Sequence, residues 1–439
     1  MSINIAFSAK SKNLSNEVEI ARNIGKEAGY SVSETNFNQQ SKILFFDFCS
    51  CGDVLLNFYQ GQITCECQTN HVGPGFHAGV VDFLDKFARE CDLSFELHDE
   101  ADYFTNRNFK QLQDKFNQWL SGVVHFVLEH ANSNEYNSLM ISWETTLYYP
   151  EEIPGTVISS MGRFPIAKLA EYDQSKENIE LLAKEFFIWN DLEKNARFYR
   201  NSALTELWTN CYFMPSSRSE QDQVINGQII AFLEKAVAID PTLPFPKREY
   251  IELCELHGVK GISVESLLDY TFLESIGYRK KLINHQIGNL KISLPGYFLF
   301  EIQKQAGYDH LFYDNFVEGW HELRLTAFQG KKAETKFNSE TFANTIEEPI
   351  TLNLKGIKCR AAYLGESKNL VNDKPYYSVI AEALSDKQIS LMTFSFDKES
   401  EKDWAFSLLN SITAVPSVEM EKQGLFSYVW NFFARFFRK

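Results

Sequence analysis

Helical and strand-like rhythms of apolar positions alternate along this chain. In QTNHVGPGFHAGVVDFLDKF, Gln68 to Phe87, apolar residues fall at Phe76, Val80, Phe83, Leu84 and Phe87, with Cys91 beyond. Steps of three and four place them on one stripe of a helix. Gly73, Pro74 and Gly75 open it, and the fixed φ of proline suits a first helical turn. Leu14 to Gly29 carries a second such stripe in Val18, Ile20, Ala21, Ile24 and Ala28. Runs of strand character surround these helices: Ile3–Phe7, Ile43–Phe48, Asp53–Tyr59, Gln62–Gln68 and Leu93–Leu97, with a tight turn at Gln60-Gly61. The order β-α-β-β-β-α-β predicts a mainly antiparallel sheet with helices over one face.

Asn106 to Glu129 predicts a long core helix, with Phe109, Leu112, Phe116, Trp119, Val123 and Phe126 as its stripe. Leu139–Trp143 adds a strand. Tyr148 to Phe164 holds Pro150, Pro154, Gly155 and Gly162, with Pro165 next, and reads as a linker or surface excursion at a domain boundary. From Ile166 to Ile276 the pattern is helical, with segments at Ile179–Asn190, Ala196–Cys211 and Gln223–Ile239. Ala231 to Gly258, with Ala236 and Pro241 at the right spacing, resembles a helix pair of a tetratricopeptide repeat. No second copy follows at a period of about 34 residues, so the resemblance implies helical-hairpin packing and not a peptide-binding array. Beyond His285 strands return at Leu290–Leu294, Phe298–Gln303, Asp309–Asp314, Trp320–Phe328, Ile350–Leu354, Ile357–Leu364, Tyr376–Ala383 and Gln388–Phe396. Ser339–Thr345 reads as a short helix, and Glu399–Ile412 as a closing helix with Trp404, Leu408 and Ile412 on one side. The expected fold class is α+β and multidomain, with antiparallel sheets and packed helices at both ends and a mostly helical middle. The expected units are residues 1–147, 166–280 and 285–415, followed by an amphipathic helix at 424–439.

The C-terminal unit carries a family resemblance. NLKISLPGYFLFE, then LRLTAF, GIKCRAAYLG, YYSVIAEA, QISLMTFSF and a last helix ending LLNSI are similar to the PsbP-like α/β/α sandwich, shared by small bacterial proteins of the DcrB type. The likeness rests on element order and on the Pro295-Gly296 that follows the first strand. It implies a non-enzymatic binding module, by fold-level analogy.

Composition narrows the function classes. The chain has 439 residues and 14% aromatics, including 37 Phe, enough to build packed cores. With 58 acidic against 43 basic residues the net charge is -15. A general nucleic-acid binder needs a concentrated Lys/Arg surface, so this balance argues against one and suits a basic protein partner. The start, MSINIAFSAKSKN, lacks the basic and apolar regions of a secretory leader, and no apolar run reaches the roughly 18 residues of a membrane span. The eight cysteines do not read as a disulfide scaffold in a chain of this length. The expectation is a cytoplasmic protein with reduced thiols and no cofactor.

Candidate chemistry is sparse. Cys49 and Cys51, then Cys65 and Cys67, form two C-x-C pairs, each on one face of a strand. Were the strands hairpin neighbours, the four sulfurs would suit tetrahedral zinc; the alternative is small buried thiols. His71 and His77 flank Gly73 and Gly75, and His98, Asp99, Glu100 and Asp102 follow. Converging imidazoles and carboxylates can hold a metal or move protons, which makes a metal-dependent hydrolase centred on His71, His77, His98 and Asp102 the rival to a binding function. The competing expectation for these residues is helix capping and solvated loops. The free N–H groups at the glycine turn can bind an anion, although no phosphate-loop lysine accompanies them.

The last stretch, GLFSYVWNFFARFFRK from Gly424, is apolar around a wide helical arc that includes Trp430, Phe433, Phe436 and Phe437, with Arg435, Arg438 and Lys439 beside it. Such a helix docks on its own protein, a twin subunit or a partner, or lies on a membrane surface. The leading expectation is a bacterial-type protein-interaction module: an adaptor, an effector chaperone or an immunity protein. A membrane-surface scaffold at the inner face, tethered by the tail, is the third reading.

Overall fold

The computed structural model describes residues 3–38, 41–130, 139–141, 148–149, 153–273, 276–303, 309–329, 337, 339–368, 374–385 and 388–415. The chain is α+β and forms two compact units. Unit 1 is Met1–Trp143, Glu152–Cys211 and Gln223–Gly277; unit 2 is Glu144–Glu151, Tyr212–Asp222 and Tyr278–Lys439. The N-terminal sheet and most of the helical middle therefore share one unit, while a stretch before the middle and one within it belong with the C-terminal sheet.

Unit 1 begins β1 (Asn4–Lys10), α1 (Leu14–Glu27), β2 (Ser31–Asn38), β3 (Ser41–Cys49), β4 (Gly52–Tyr59), β5 (Gln62–Gln68), α2 (Pro74–Glu90) and β6 (Phe95–Asp99). The strands form one antiparallel sheet in the order β2-β3-β4-β5-β1-β6. Period-two alternation assigns its faces: Ile63, Cys65 and Cys67 are buried, while Gln62, Thr64, Glu66 and Gln68 are exposed. Ile5, Phe7, Leu44, Phe46, Val54, Leu56 and Phe58 line the buried side. The edge strand β2, SVSETNFN, escapes the sequence pattern because each alternate set of its positions carries only one apolar residue, Val32 or Phe37, among polar ones.

The α2 stripe packs as its spacing predicts, with Phe46 and Phe48 ring centroids 4.7 and 5.6 Å from Phe83. His77, Ala78 and Val81, off that stripe, are buried too. The helices that follow explain why: α3 (Tyr103–Asn106) and α4 (Phe109–His130) pack against α2. In α4 the buried row is Leu112, Phe116, Leu120, Val124 and Val127, while Phe126 is 46% exposed. The row is rotated from the expected one because a straight helix advances 3.6 residues per turn, not 3.5.

Residues 156–164 correct the surface-excursion expectation. After β7 (Leu139–Met140) and β8 (Tyr148–Tyr149, in unit 2), β9 (Thr156–Ile158) and β10 (Arg163–Pro165) make a tight hairpin with Val157, Ile158, Met161 and Phe164 all buried. Gly162, at φ 146°, allows the turn, and Ser159 binds its carbonyl. There follow α5 (Ile166–Tyr172), α6 (Lys176–Phe186), α7 (Ala196–Thr209), α8 (Glu220–Ile239) and α9 (Lys247–His257). Ser175 and Asn195 cap α6 and α7 by accepting the N–H groups of Asn178 and Phe198.

Unit 2 contains β11 (Leu282–Ile287), β12 (Leu290–Pro295), β13 (Leu299–Gln303), β14 (Asp309–Tyr313), β15 (His321–Gln329), β16 (Ile350–Leu354), β17 (Ile357–Lys368), β18 (Pro375–Ser385), β19 (Gln388–Phe396), α10 (Lys402–Leu409) and β20 (Thr413–Ala414). Seven strands form an antiparallel sheet, β13-β14-β15-β19-β18-β17-β16, and β20-β12-β11-β8 form a second. One core joins Ile292 and Leu294 of β12 to Leu323, Cys359, Val379, Met392 and Phe394 of the large sheet and to Ala405, Leu408 and Ile412 at the closing helix. Residues Ser339–Phe342 form only a 3-10 turn. Among the described residues no helix is long and apolar enough to cross a membrane. The tail from Gly424, with Trp430, Phe433, Phe436 and Phe437, lies outside the described residues.

Candidate functional site

The stretch that joins β5 to α2 holds most of the candidate residues. Thr69 continues the inward alternation of Cys65 and Cys67, so its hydroxyl lies inside the sheet layer. His77, one turn into α2, is fully buried. Its Nδ1 is 2.8 Å from Thr69 Oγ1, and its Nε2 is 2.8 Å from Asp99 Oδ1. Thr69 Oγ1 also lies 3.0 Å from the Ile3 carbonyl oxygen. The Phe116 ring closes the pocket edge-on at 5.8 Å. Asp99 accepts two further bonds of 2.7 Å, from the Ala101 and Phe104 N–H groups. Burial works to raise this carboxyl, but the bonds from His77 and the two amides outweigh it and hold Asp99 below the usual carboxylate range.

This line of hydroxyl, imidazole and carboxylate has the composition of a catalytic triad, but its setting differs. Thr69, His77 and Asp99 are each less than a tenth exposed. The nucleophile of a triad must reach a reacting atom, and here the Thr69 hydroxyl is fully buried and turned to the Ile3 carbonyl. The arrangement ties the end of β5, the start of α2 and the end of β6 to one another.

The other members of the expected cluster lie elsewhere. His98 is exposed and pairs across the sheet with Ala6, on the face opposite to Asp99. Asp102 is exposed and bound to Lys115 Nζ at 2.6 Å. His71 binds the Cys51 carbonyl through Nε2 at 3.2 Å, and burial lowers its basicity despite that bond. The expectation of capping and solvated loops is corrected at His77 and Asp99, which are part of the interior, and α2 has no side-chain cap bond, whereas His98, Glu100 and Asp102 are solvent-exposed.

Gly73 and Gly75 serve a close backbone approach. The Gly75 N–H donates to the Trp189 carbonyl at 2.9 Å, and the Trp189 N–H donates to the Val72 carbonyl at 2.9 Å. A Cβ on Gly73, whose φ is 124°, would lie 2.5 Å from the Trp189 oxygen. One on Gly75 would lie 2.1 Å from the Trp189 ring and 2.2 Å from the Asp191 oxygen. The segment after α6 thus occupies the helix start whose N–H groups could otherwise receive an anion.

The cysteines are buried except for half-buried Cys51 and Cys91. Burial pushes the Cys65 thiol up to about 12 and raises Cys49 and Cys67 strongly, so they stay protonated and hydrophobe-like at neutral pH. Among the described residues no three His, Cys, Asp or Glu side chains are placed to hold a metal ion, so the four sulfurs do not make the zinc site.

Two arrangements had no sequence motif to announce them. Lys194 sends Nζ to the Phe48 carbonyl at 2.8 Å, and the rings of Trp189, Phe198 and Tyr30 surround it at 4.7, 5.0 and 5.2 Å. In unit 2 Arg218 binds Asp222 through Nε at 2.7 Å and through a terminal nitrogen at 2.9 Å, with both side chains almost fully buried. Its other arm donates to the Tyr297 carbonyl at 2.6 Å. An open cleft of about 450 Å³ at the β4–β5 turn is lined by Ser11, Leu14, Tyr59, Gln60, Gly61 and Gln62, none of them a candidate residue.

No family model matches the chain. No curated protein matches it. A crystal structure of a protein from Bacteroides thetaiotaomicron VPI-5482 aligns with 29% of this chain and 46% of its own, at 13% identity and a TM-score of 0.24. The chain thus spans less than half the length of that neighbour, and the likeness is too slight to extend to its fold.

Proposed function

We propose that this chain is a non-enzymatic protein-interaction module whose partner presents a basic surface. The observation that carries the reading is the fate of the constellation with catalytic composition: Thr69 and His77 are both sealed from solvent, and His71, His98 and Asp102 are used apart from them. The net charge of -15 supports a cationic partner, since opposite fields speed encounter and suppress wrong pairings. The PsbP-like resemblance of residues 285–415, a layout of binding modules, supports the same reading by analogy.

The test pairs an activity screen with a binding measurement on the full-length chain. Chromogenic esters, phosphates and glycosides are offered with and without zinc, magnesium and manganese. Crosslinking in the native cell, followed by mass spectrometry, identifies stoichiometric partners. The reading expects no turnover above buffer and a basic partner whose purified complex weakens as salt rises. Turnover that disappears in His77→Gln while the variant stays folded would replace it with the hydrolase reading.

A further inference from the structure

The large sheet of unit 2 ends at β16, and among the described residues no strand lies beyond it. Its register with β17 runs from Ile350 opposite Ala361 to Leu354 opposite Ile357. Two residues, Lys355 and Gly356, close the hairpin, which makes Leu354 and Ile357 its closing hydrogen-bonded pair. Hydrogen-bonded and non-bonded pairs alternate along an antiparallel ladder. Ile350, Leu352 and Leu354 therefore direct their backbone groups to β17, and Thr351 and Asn353 direct theirs outward.

Natural edges are blunted by charge, proline or a covering element. Within Ile350–Leu354 there is no charged residue, and Pro349 stands just before the strand. Ile350, Leu352 and Leu354 lie on the same face as Ala361, Cys359 and Ile357, which belong to the core. Yet Ile350 is 49% exposed, and Leu352 and Leu354 are only half-buried. The apolar row thus reaches the last strand, where Leu352 and Leu354 pack against the core with one side open and Ile350 is left largely uncovered by described residues.

We propose that β16 is a homodimer interface, in which the same strand of a second copy of this chain pairs antiparallel across a two-fold axis at Leu352. The strand is self-complementary in that register. Thr351 meets Asn353 of the copy and Asn353 meets Thr351, so the outward N–H and C=O groups of both strands are satisfied together. Leu352 meets its own copy as a close, non-bonded pair, and Ile350 meets Leu354, so the two apolar rows join on one side of a continuous sheet. The charges agree with the direction. Exposed Glu347, which also pairs with Lys402, and exposed Glu348 precede the strand, exposed Lys355 lies in its turn and exposed Lys358 follows it. Antiparallel pairing sets the acidic end of one copy beside the basic end of the other, whereas parallel pairing would set like charges together. Pro349, with no N–H, ends the new ladder after one strand length. A patch this short is an isologous interface of modest strength. The inference stands apart from the binding reading above, since neither requires the other.

Sedimentation velocity of the full-length chain from about 1 to about 200 µM, where modest interfaces associate, tests it. The wild type is expected to pass from monomer to dimer with concentration. Thr351→Pro removes one outward N–H and leaves the β17 ladder whole, and should weaken the dimer at least tenfold. Leu352→Lys and Leu352→Glu each place like charges together on the axis and should each be monomeric, while an equimolar mixture of the two should form a heterodimer. Circular dichroism and melting of each variant check that the fold is kept; should Thr351→Pro fail that check, the charge-swapped pair decides alone. A wild type that stays monomeric throughout overturns the proposal, as does a dimer that both Leu352 variants leave intact.

Discussion

Adding one methyl group at Gly75 probes the packing of α2 most sharply. In an exposed helix Gly→Ala gains up to about 1 kcal/mol of helix propensity. At Gly75 the new Cβ would stand 2.1 Å from the Trp189 ring and 2.2 Å from the Asp191 carbonyl oxygen, and the second obstacle is backbone. The segment must therefore move by about an ångström to restore ordinary contact, which overpacks at a cost of about 1–3 kcal/mol. That shift also loosens the two 2.9 Å backbone bonds between Trp189 and the glycine turn, each worth about 0.5–1.5 kcal/mol. With the propensity gain subtracted, the net loss is about 1–5 kcal/mol. Gly122→Ala supplies the control, since it too is helical and a Cβ there meets nothing within 4 Å. Urea unfolding of both variants, followed by circular dichroism, should give a large fall in midpoint for Gly75→Ala and a small rise for Gly122→Ala. If Gly75→Ala is as stable as wild type, the Trp189 contact is not a packing constraint and the reasoning fails.

Three further outcomes follow from the same structure. Phe83→Ala should cost about 3–5 kcal/mol, because Phe83 is buried against Phe46 and Phe48; a urea midpoint close to wild type would refute it. Asp99 has its folded carboxyl held below the usual range, so its contribution is fully present above about pH 4, the ordinary value, and is lost as pH falls through the lower folded value. Asp99→Asn should thus destabilise the protein at pH 7 and narrow the gap to wild type in acid; a gap independent of pH would contradict this. Arg218→Met should cost about 3–5 kcal/mol by leaving Asp222 buried and unpaired, and a second change, Asp222→Leu, should recover much of that in melting experiments.

The legible parts of the sequence were those governed by a single period. The α2 stripe and the β5 alternation follow directly from spacing, as do the C-terminal strands. Polar edge strand β2 offered no such period. Prolines and glycines at 150–165 signal a turn equally well in a surface loop and in a buried hairpin, and only the packing of Met161 and Phe164 separates the two. The candidate cluster failed for a related reason. Residues close in sequence, His98 and Asp99, sit on opposite faces of β6, so that only Asp99 reaches His77. The alternation of β6 could have separated them, and the inward row Cys65, Cys67 could have pointed to Thr69. The approach of Trp189 to Gly75 had no local signal, because it joins segments more than a hundred residues apart in sequence.

That the His77–Asp99 pair holds unit 1 together meets its most direct test in a double-mutant cycle. Stabilities of wild type, His77→Ala, Asp99→Ala and the double variant are measured by urea unfolding at pH 7. Buried partners at 2.8 Å should show a coupling of about 1–3 kcal/mol, and each single change should be clearly destabilising. Wild-type stability in His77→Ala, or effects of the two changes that add to within about 0.5 kcal/mol, would contradict the account.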